Sequence, residues 1–106
     1  MTPSRPLITL DLRAKALEDL ARLELEDRKA ALKALRIIRG LDMVGLGHHA
    51  GLNWESLDPL TDKTTGKILW SFRFGSGARA LCIKEPGSVI VVATFQPDHD
   101  KAYRRR

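Results

Sequence analysis

Arg73 and Arg79 flank a Gly-Ser-Gly turn in the stretch FRFGSGAR, and His99 and Tyr103 stand four apart in DHDKAYRRR at the C-terminus. Arginine suits the grip of a phosphate, because its planar fork keeps its charge and can hold two oxygens at once. If the GSG turn pairs its flanking strands in register, both guanidiniums approach one phosphate, and electrostatic stabilisation of this type is commonly the largest catalytic contribution. Histidine titrates near neutrality and can accept or donate a proton, whereas tyrosine can donate, orient or stack on a base. His99 is therefore the first choice for proton transfer, with Asp98 and Asp100 placed to orient it. Each residue alone has a plainer role: Arg73 as a solvated strand residue, Arg79 as the partner of a nearby carboxylate, Tyr103 as a ring packed on a sheet, His99 as an exposed terminal side chain. Their conjunction carries the catalytic expectation.

Charge points the same way, but locally. The chain has 106 residues and a formal charge of +5, and Lys101, Arg104, Arg105 and Arg106 supply four positive charges at one end. A short cluster neutralises only a few phosphates and their counterions, which favours a focused RNA or phosphate contact over a wholly basic surface; a solvated terminus is the alternative. One cysteine, Cys82, excludes an internal disulfide framework and fits a reducing compartment. His48 and His49 are adjacent in a glycine-rich stretch, where neighbouring side chains rarely converge on one metal, so neither a metal nor another cofactor is expected. No apolar run approaches the roughly 18 residues of a membrane span, and the start of the chain lacks an apolar leader segment. The expectation is a cytoplasmic protein without membrane contact.

The elements that position these groups follow from periodicity. The length fits one domain over residues 1–106. Leu7, Ile8 and Leu10 form a short first strand, with Asp11 as a helix cap. From Leu12 to Arg39 there is no glycine or proline, and strong helix formers dominate. Leu12, Ala16, Leu20 and Leu23 share one face, Ala31, Leu35 and Ile38 another, and Gly40 stands where helices often end in a left-handed conformation. A single helix here would be about 42 Å long, too long for a domain with a radius of gyration of about 13 Å, so a helical hairpin is expected, broken between Glu24 and Asp27. Residues 40–66 are dense in glycine and read as a looped connection, with Leu52, Trp54 and Leu57 packing it onto the sheet. Three strands follow as an antiparallel meander: KILWSFRF, with Arg73 leaving the core side, then ARALCIK, then SVIVVATF after a Pro-Gly turn. The last strand is apolar on both faces, so either loops of the chain or a protein partner should cover the second. Pro97 is acceptable in a first helical turn, and residues 97–104 can form a short helix projecting His99 and Tyr103 from one side.

The order of strand, helical hairpin and three antiparallel strands, with GLNWESL ahead of LWSFRFGSGARALCI and then VIVVATFQPDHDKAY, resembles the RelE/ParE superfamily of bacterial type II toxins. The resemblance is most specific over Gly51 to Tyr103. It implies an α+β fold with the helices on one face of a single sheet, and a toxin that cleaves messenger RNA on the ribosome, in contact with ribosomal RNA. It also implies a cognate antitoxin wrapped around the toxin, in a hetero-oligomer that binds operator DNA through the antitoxin. Arg73 and Arg79 fall where such enzymes place basic residues, and His99 and Tyr103 fall where they place their remaining catalytic groups. Ser71 departs from the pattern, standing where some relatives carry lysine, and the chain stops three residues after Tyr103. The scaffold also permits two other outcomes: a ParE-like inhibitor of DNA gyrase, which needs no proton-transfer residues, and an inactive relative that only binds its antitoxin.

Overall fold

The glycine- and proline-free run folds as two helices, α1 (Ala14–Arg22) and α2 (Leu25–Arg39). They bury Ala16, Leu23, Ala31, Ala34, Leu35 and Ile38, with Leu12 and Leu20 packed against the same core, as their spacing requires. The break falls at Leu23 and Glu24, slightly ahead of the expected position, and leaves Glu26 and Asp27 in the first turn of α2, at its positive end. Arg28 makes this break possible without glycine or proline. Its Nε donates to the carbonyl of Leu20 at 3.3 Å, and its Nη2 donates to those of Ala21 and Leu23 at 3.1 and 2.9 Å. The carbonyls that α1 leaves open at its C-terminus thus find their donors on the next helix.

The computed structural model describes residues 5–97. His99, Lys101, Tyr103 and Arg104 to Arg106 lie outside the described residues, as does most of the 97–104 segment expected to be helical. The remaining elements are β1 (Thr9–Leu12), α3 (Met43–His48), β2 (Glu55–Thr61), β3 (Ile68–Phe74), β4 (Ala78–Glu85) and β5 (Val89–Gln96). They form one α+β unit whose five strands run in the order β1-β5-β4-β3-β2. β1 is parallel to β5, and the other neighbours are antiparallel. The first strand is therefore hydrogen-bonded to the last, and the helices carry the chain from β1 at one edge of the sheet to β2 at the other.

Four local expectations need correction. β1 extends to Leu12 because its pairing continues to Val92, so Asp11 is a strand residue, and the helix starts after Arg13, whose side chain makes no capping bond. Gly40 ends α2 with φ −91°, in no left-handed conformation; i→i+3 bonds from the amides of Gly40 and Leu41 to Ile37 and Ile38 tighten the last turn instead. The stretch 40–66 is not all loop: Asp42 caps α3 by accepting from the amide of Gly45 at 2.7 Å, and Leu46 is fully buried beneath it. The same stretch contributes β2, so the antiparallel part of the sheet has four strands, not three.

One face of the sheet meets the helices through Phe72, Phe74, Ala78, Ala80, Cys82, Ile90, Val92 and Phe95. The other face is partly closed by the chain itself. Arg13 follows one edge strand and Asp62 follows the other, yet Arg13 donates two hydrogen bonds to the Asp62 carboxylate, at 2.7 and 2.9 Å. Glu85, at the end of β4, adds its charge to the surroundings of Arg13. The pair thus joins the two edges across the outer face. Ile83, directed outward because Cys82 points to the core, is only 1% exposed. This accounts in part for the doubly apolar character of the central strands.

The Arg13 guanidinium holds the Asp62 carboxyl well below the usual carboxylate range, with the amide and hydroxyl of Thr65 adding to the effect against burial. The folded-state pKa lies below the unfolded value of about 3.9, so the pair stabilises the fold fully above that value, and the contribution is lost as pH falls toward the folded-state value. Asp62→Asn is expected to flatten the acid limb of stability between about pH 5 and pH 2, read by urea unfolding across that range. Arg28→Ala, which removes the donor to the Ala21 and Leu23 carbonyls and leaves that of Leu20 only the Leu23 amide, is expected to lower stability by about 1–3 kcal/mol in the same measurement.

Candidate functional site

Arg73 and Arg79 are cross-strand partners in the β3–β4 register, as the GSG turn suggests. Both point to the outer face, since Phe72, Phe74, Ala78 and Ala80 on either side of them are buried in the core. Directly opposed residues have Cα atoms about 4.5–5.5 Å apart, which brings two long cationic side chains onto one patch. Like charges placed in this way are destabilising, by roughly 0.2–1 kcal/mol, so packing alone gives no reason for the arrangement. Gln96 of β5 is the next residue in the row, paired with Arg79 on its other side.

Arg79 has a carboxylate neighbour that was not singled out in the sequence. Its Nη1 lies 3.6 Å from Oε1 of Glu55, with both side chains close to half exposed. Glu55 belongs to β2 and pairs with Ser71, so Arg79 reaches from β4 across β3 to meet it. Ser71 lies in the path and is only 2% exposed. A lysine at that position would compete with the arginine for both space and the carboxylate; the small hydroxyl leaves the crossing open. At 3.6 Å and this exposure the ion pair is worth about 0–1 kcal/mol and yields readily to a phosphate. Arg73 has no ion-pair partner among the described residues. The signal for Glu55 was present in GLNWESL, but only the existence of β2 gives it a register.

Rigid packing holds the row in place. Gly75 adopts φ +62° in the turn, a left-handed conformation that favours glycine, and packs at ordinary contact distance against Asp27 and Ala30 of α2. Beneath the arginines, Phe74 meets Phe95 edge to face at 5.7 Å and Phe72 at 6.5 Å. β1 ends before β5 does, and the amide of Phe95 donates instead to Asp19 of α1 at 3.2 Å. That bond fixes the end of β5 beside Arg79, one residue before Gln96 and two before Pro97.

The other singled-out residues have structural places. His49 accepts from the amide of Leu52 through Nδ1 at 3.3 Å, shaping the loop after α3, and Leu52 is buried. Trp54 stacks on Trp70 at 5.2 Å, and Lys84 Nζ lies 4.2 Å from the Trp70 ring centre, so both faces of Trp70 are occupied. Cys82 is buried, and burial pushes its thiol pKa well up, which leaves it inert. No helix among the described residues is long and apolar enough to cross a membrane.

The row predicts opposite effects of two changes on polyanion binding. Arg73→Ala is expected to weaken a 2′-O-methyl RNA oligomer about tenfold and to reduce the salt slope of its affinity by about one. Glu55→Gln, which frees Arg79, is expected to tighten the same oligomer about threefold. Fluorescence anisotropy across a salt series measures both.

No protein-family model matches the chain, and no curated protein matches it by sequence. Among solved structures, a chain of the archaeal RelE–RelB complex from Pyrococcus horikoshii OT3 matches with a TM-score of 0.61 and 15% identity. The match covers 87% of this chain and 96% of that one. The fold is thus the one found in that RelE–RelB complex.

Proposed function

We propose that the chain is the toxin of a type II toxin–antitoxin pair and acts as a metal-independent endoribonuclease on ribosome-bound messenger RNA. The observation that carries this is the directly opposed pair Arg73 and Arg79, exposed on the outer face of the sheet and held from behind by buried phenylalanines and alanines. Two guanidiniums converging on one patch neutralise the charge that builds on a phosphate during in-line displacement. The fold shared with a chain of a RelE–RelB complex supports both the toxin assignment and a cognate antitoxin as partner.

In the reaction, the 2′-hydroxyl of one nucleotide attacks its own 3′-phosphorus. A base takes the 2′ proton, the bond from phosphorus to the 5′-oxygen of the next nucleotide breaks, and an acid protonates that oxygen. The products are a 2′,3′-cyclic phosphate and a 5′-hydroxyl. Arg73 and Arg79 hold the phosphate. Two groups compete for the base: Glu55, already beside Arg79, and His99, which follows Gln96 by three residues. Tyr103 supplies the acid or stacks on a base, and Lys101 with Arg104, Arg105 and Arg106 draws in RNA. The reaction takes place in the cytoplasm, where translating ribosomes are.

Induction of the wild-type chain in bacteria, followed by mapping of 5′-hydroxyl RNA ends, is expected to show cuts at fixed codon positions in translated messages. Folded Arg73→Ala and Arg79→Ala variants are expected to lose them. Growth arrest without new ends would reject the nuclease and leave a ParE-like action on gyrase. Single-turnover cleavage by Glu55→Gln and His99→Ala then assigns the base: the variant that binds RNA at least as tightly as wild type but cleaves at least about a hundredfold more slowly has lost it.

A further inference from the structure

β5 does not keep one alternation along its length. Cys82 of β4 pairs with Val92, but Leu81 pairs with Thr94, so Ala93 is an extra residue and forms a bulge. Val92 and Phe95 both sit in the core, at 0% and 3% exposure, although they stand three residues apart. Unbroken alternation from Val92 would turn Gln96 inward, beneath the helices. The bulge reverses this and sends Gln96 to the outer face, directly opposite Arg79. Its direction is then held from α1, whose Asp19 carboxylate accepts from the amide of Phe95.

Gln96 is exposed, and its side chain makes no hydrogen bond among the described residues. It ends the row of Arg73 and Arg79 with an uncharged amide, which both donates and accepts. Neighbouring strands are about 4.8 Å apart, so the sugar attached to a phosphate on the two arginines comes over β5, while its base extends farther out. A ribose 2′-hydroxyl also donates and accepts, and it is the group by which a protein tells RNA from DNA. A neutral amide matches it, whereas a further phosphate would call for another cation. Glu55 lies on the other side of Arg79, toward β2, with its Oε1 3.6 Å from Nη1. With Glu55 taking the proton, the attacking hydroxyl is on the β2 side, and in-line displacement sets the leaving 5′-oxygen opposite, over β5.

We propose that Gln96 holds the ribose 2′-hydroxyl of the nucleotide that follows the scissile phosphate, so that RNA crosses the sheet with its 5′ side over β2 and its 3′ side over β5. Gln96 is thus a specificity-determining residue, favouring ribose at a position whose hydroxyl takes no part in the reaction. The inference rests on the phosphate-binding reading of Arg73 and Arg79 and takes Glu55 as the base.

The test is fluorescence anisotropy of the full chain with short single-stranded RNAs that carry 2′-O-methyl at the cleavage site, the following nucleotide being either ribose or 2′-deoxyribose. Wild type is expected to bind the ribose form about fivefold more tightly, and Gln96→Ala to bind both forms as wild type binds the deoxy form. The salt slope of the variant is expected to equal that of wild type, because no phosphate contact is lost. A substitution that only loosened β5 would weaken both forms alike and leave their ratio intact. Equal binding of the two forms by wild type, the same ratio in Gln96→Ala as in wild type, or a loss that follows the base and not the sugar would overturn the Gln96 assignment and leave the arginine row standing. Binding that is indifferent to Arg73→Ala and Arg79→Ala would overturn the phosphate reading and this inference with it.

Discussion

The phosphate-binding row of this protein depends on the two-residue alternation of β3 and β4. The helical hairpin covers one face of the sheet, so Phe72, Phe74, Ala78 and Ala80 must turn inward, and Arg73 and Arg79 are then forced outward at paired positions. A slip of one residue would bury two guanidiniums and expose two phenyl rings, which makes the register energetically unambiguous. The small size of Ala78 and Ala80 lets the helices approach while the phenylalanines fill the space, so the arginines stand on a closely packed base. The chain thereby tolerates two like charges side by side.

The outer face has two ends with different electrostatic states. Near β1 and the β2–β3 turn, the cations are matched: Arg13 with Asp62, and Lys67 with Glu85. At the opposite end the balance is incomplete, because Arg79 shares Glu55 loosely and Arg73 shares nothing among the described residues. The first end closes the sheet and the second leaves positive charge available to an anion. Ser71 connects the two descriptions, since its small side chain allows Arg79 to cross β3. A small residue at this position thus has a structural consequence: the outer face there carries reach in place of charge.

Much of this architecture was legible in the residues. The Leu and Ala spacing gave both helices and the need for a hairpin, and the alternation in LWSFRF placed Arg73 before any register was known. The missing parts have a common cause in long sequence separation. β2 and α3 were hidden in a glycine-dense stretch, because the cap at Asp42 and the pairing of Glu55 with Ser71 outweigh local propensity. Arg28 as a helix terminator and Arg13 as a latch act through contacts that no periodicity records, the second joining positions 49 residues apart. Glu55 was visible as an acidic residue but had no address until its strand was found. His99, Tyr103 and the basic tail remain as the sequence presented them.

The central claim is that the outer-face arginine pair meets an RNA phosphate. Side-chain Nε–Hε resonances of arginine, followed by NMR while a single-stranded RNA blocked by 2′-O-methyl at the cleavage site is titrated in, test this most directly. The account predicts saturable shifts and slowed proton exchange at Arg73 and Arg79, with Arg36 and Arg39 unmoved. Shifts confined to other arginines, with Arg73 and Arg79 unchanged at saturation, would contradict it.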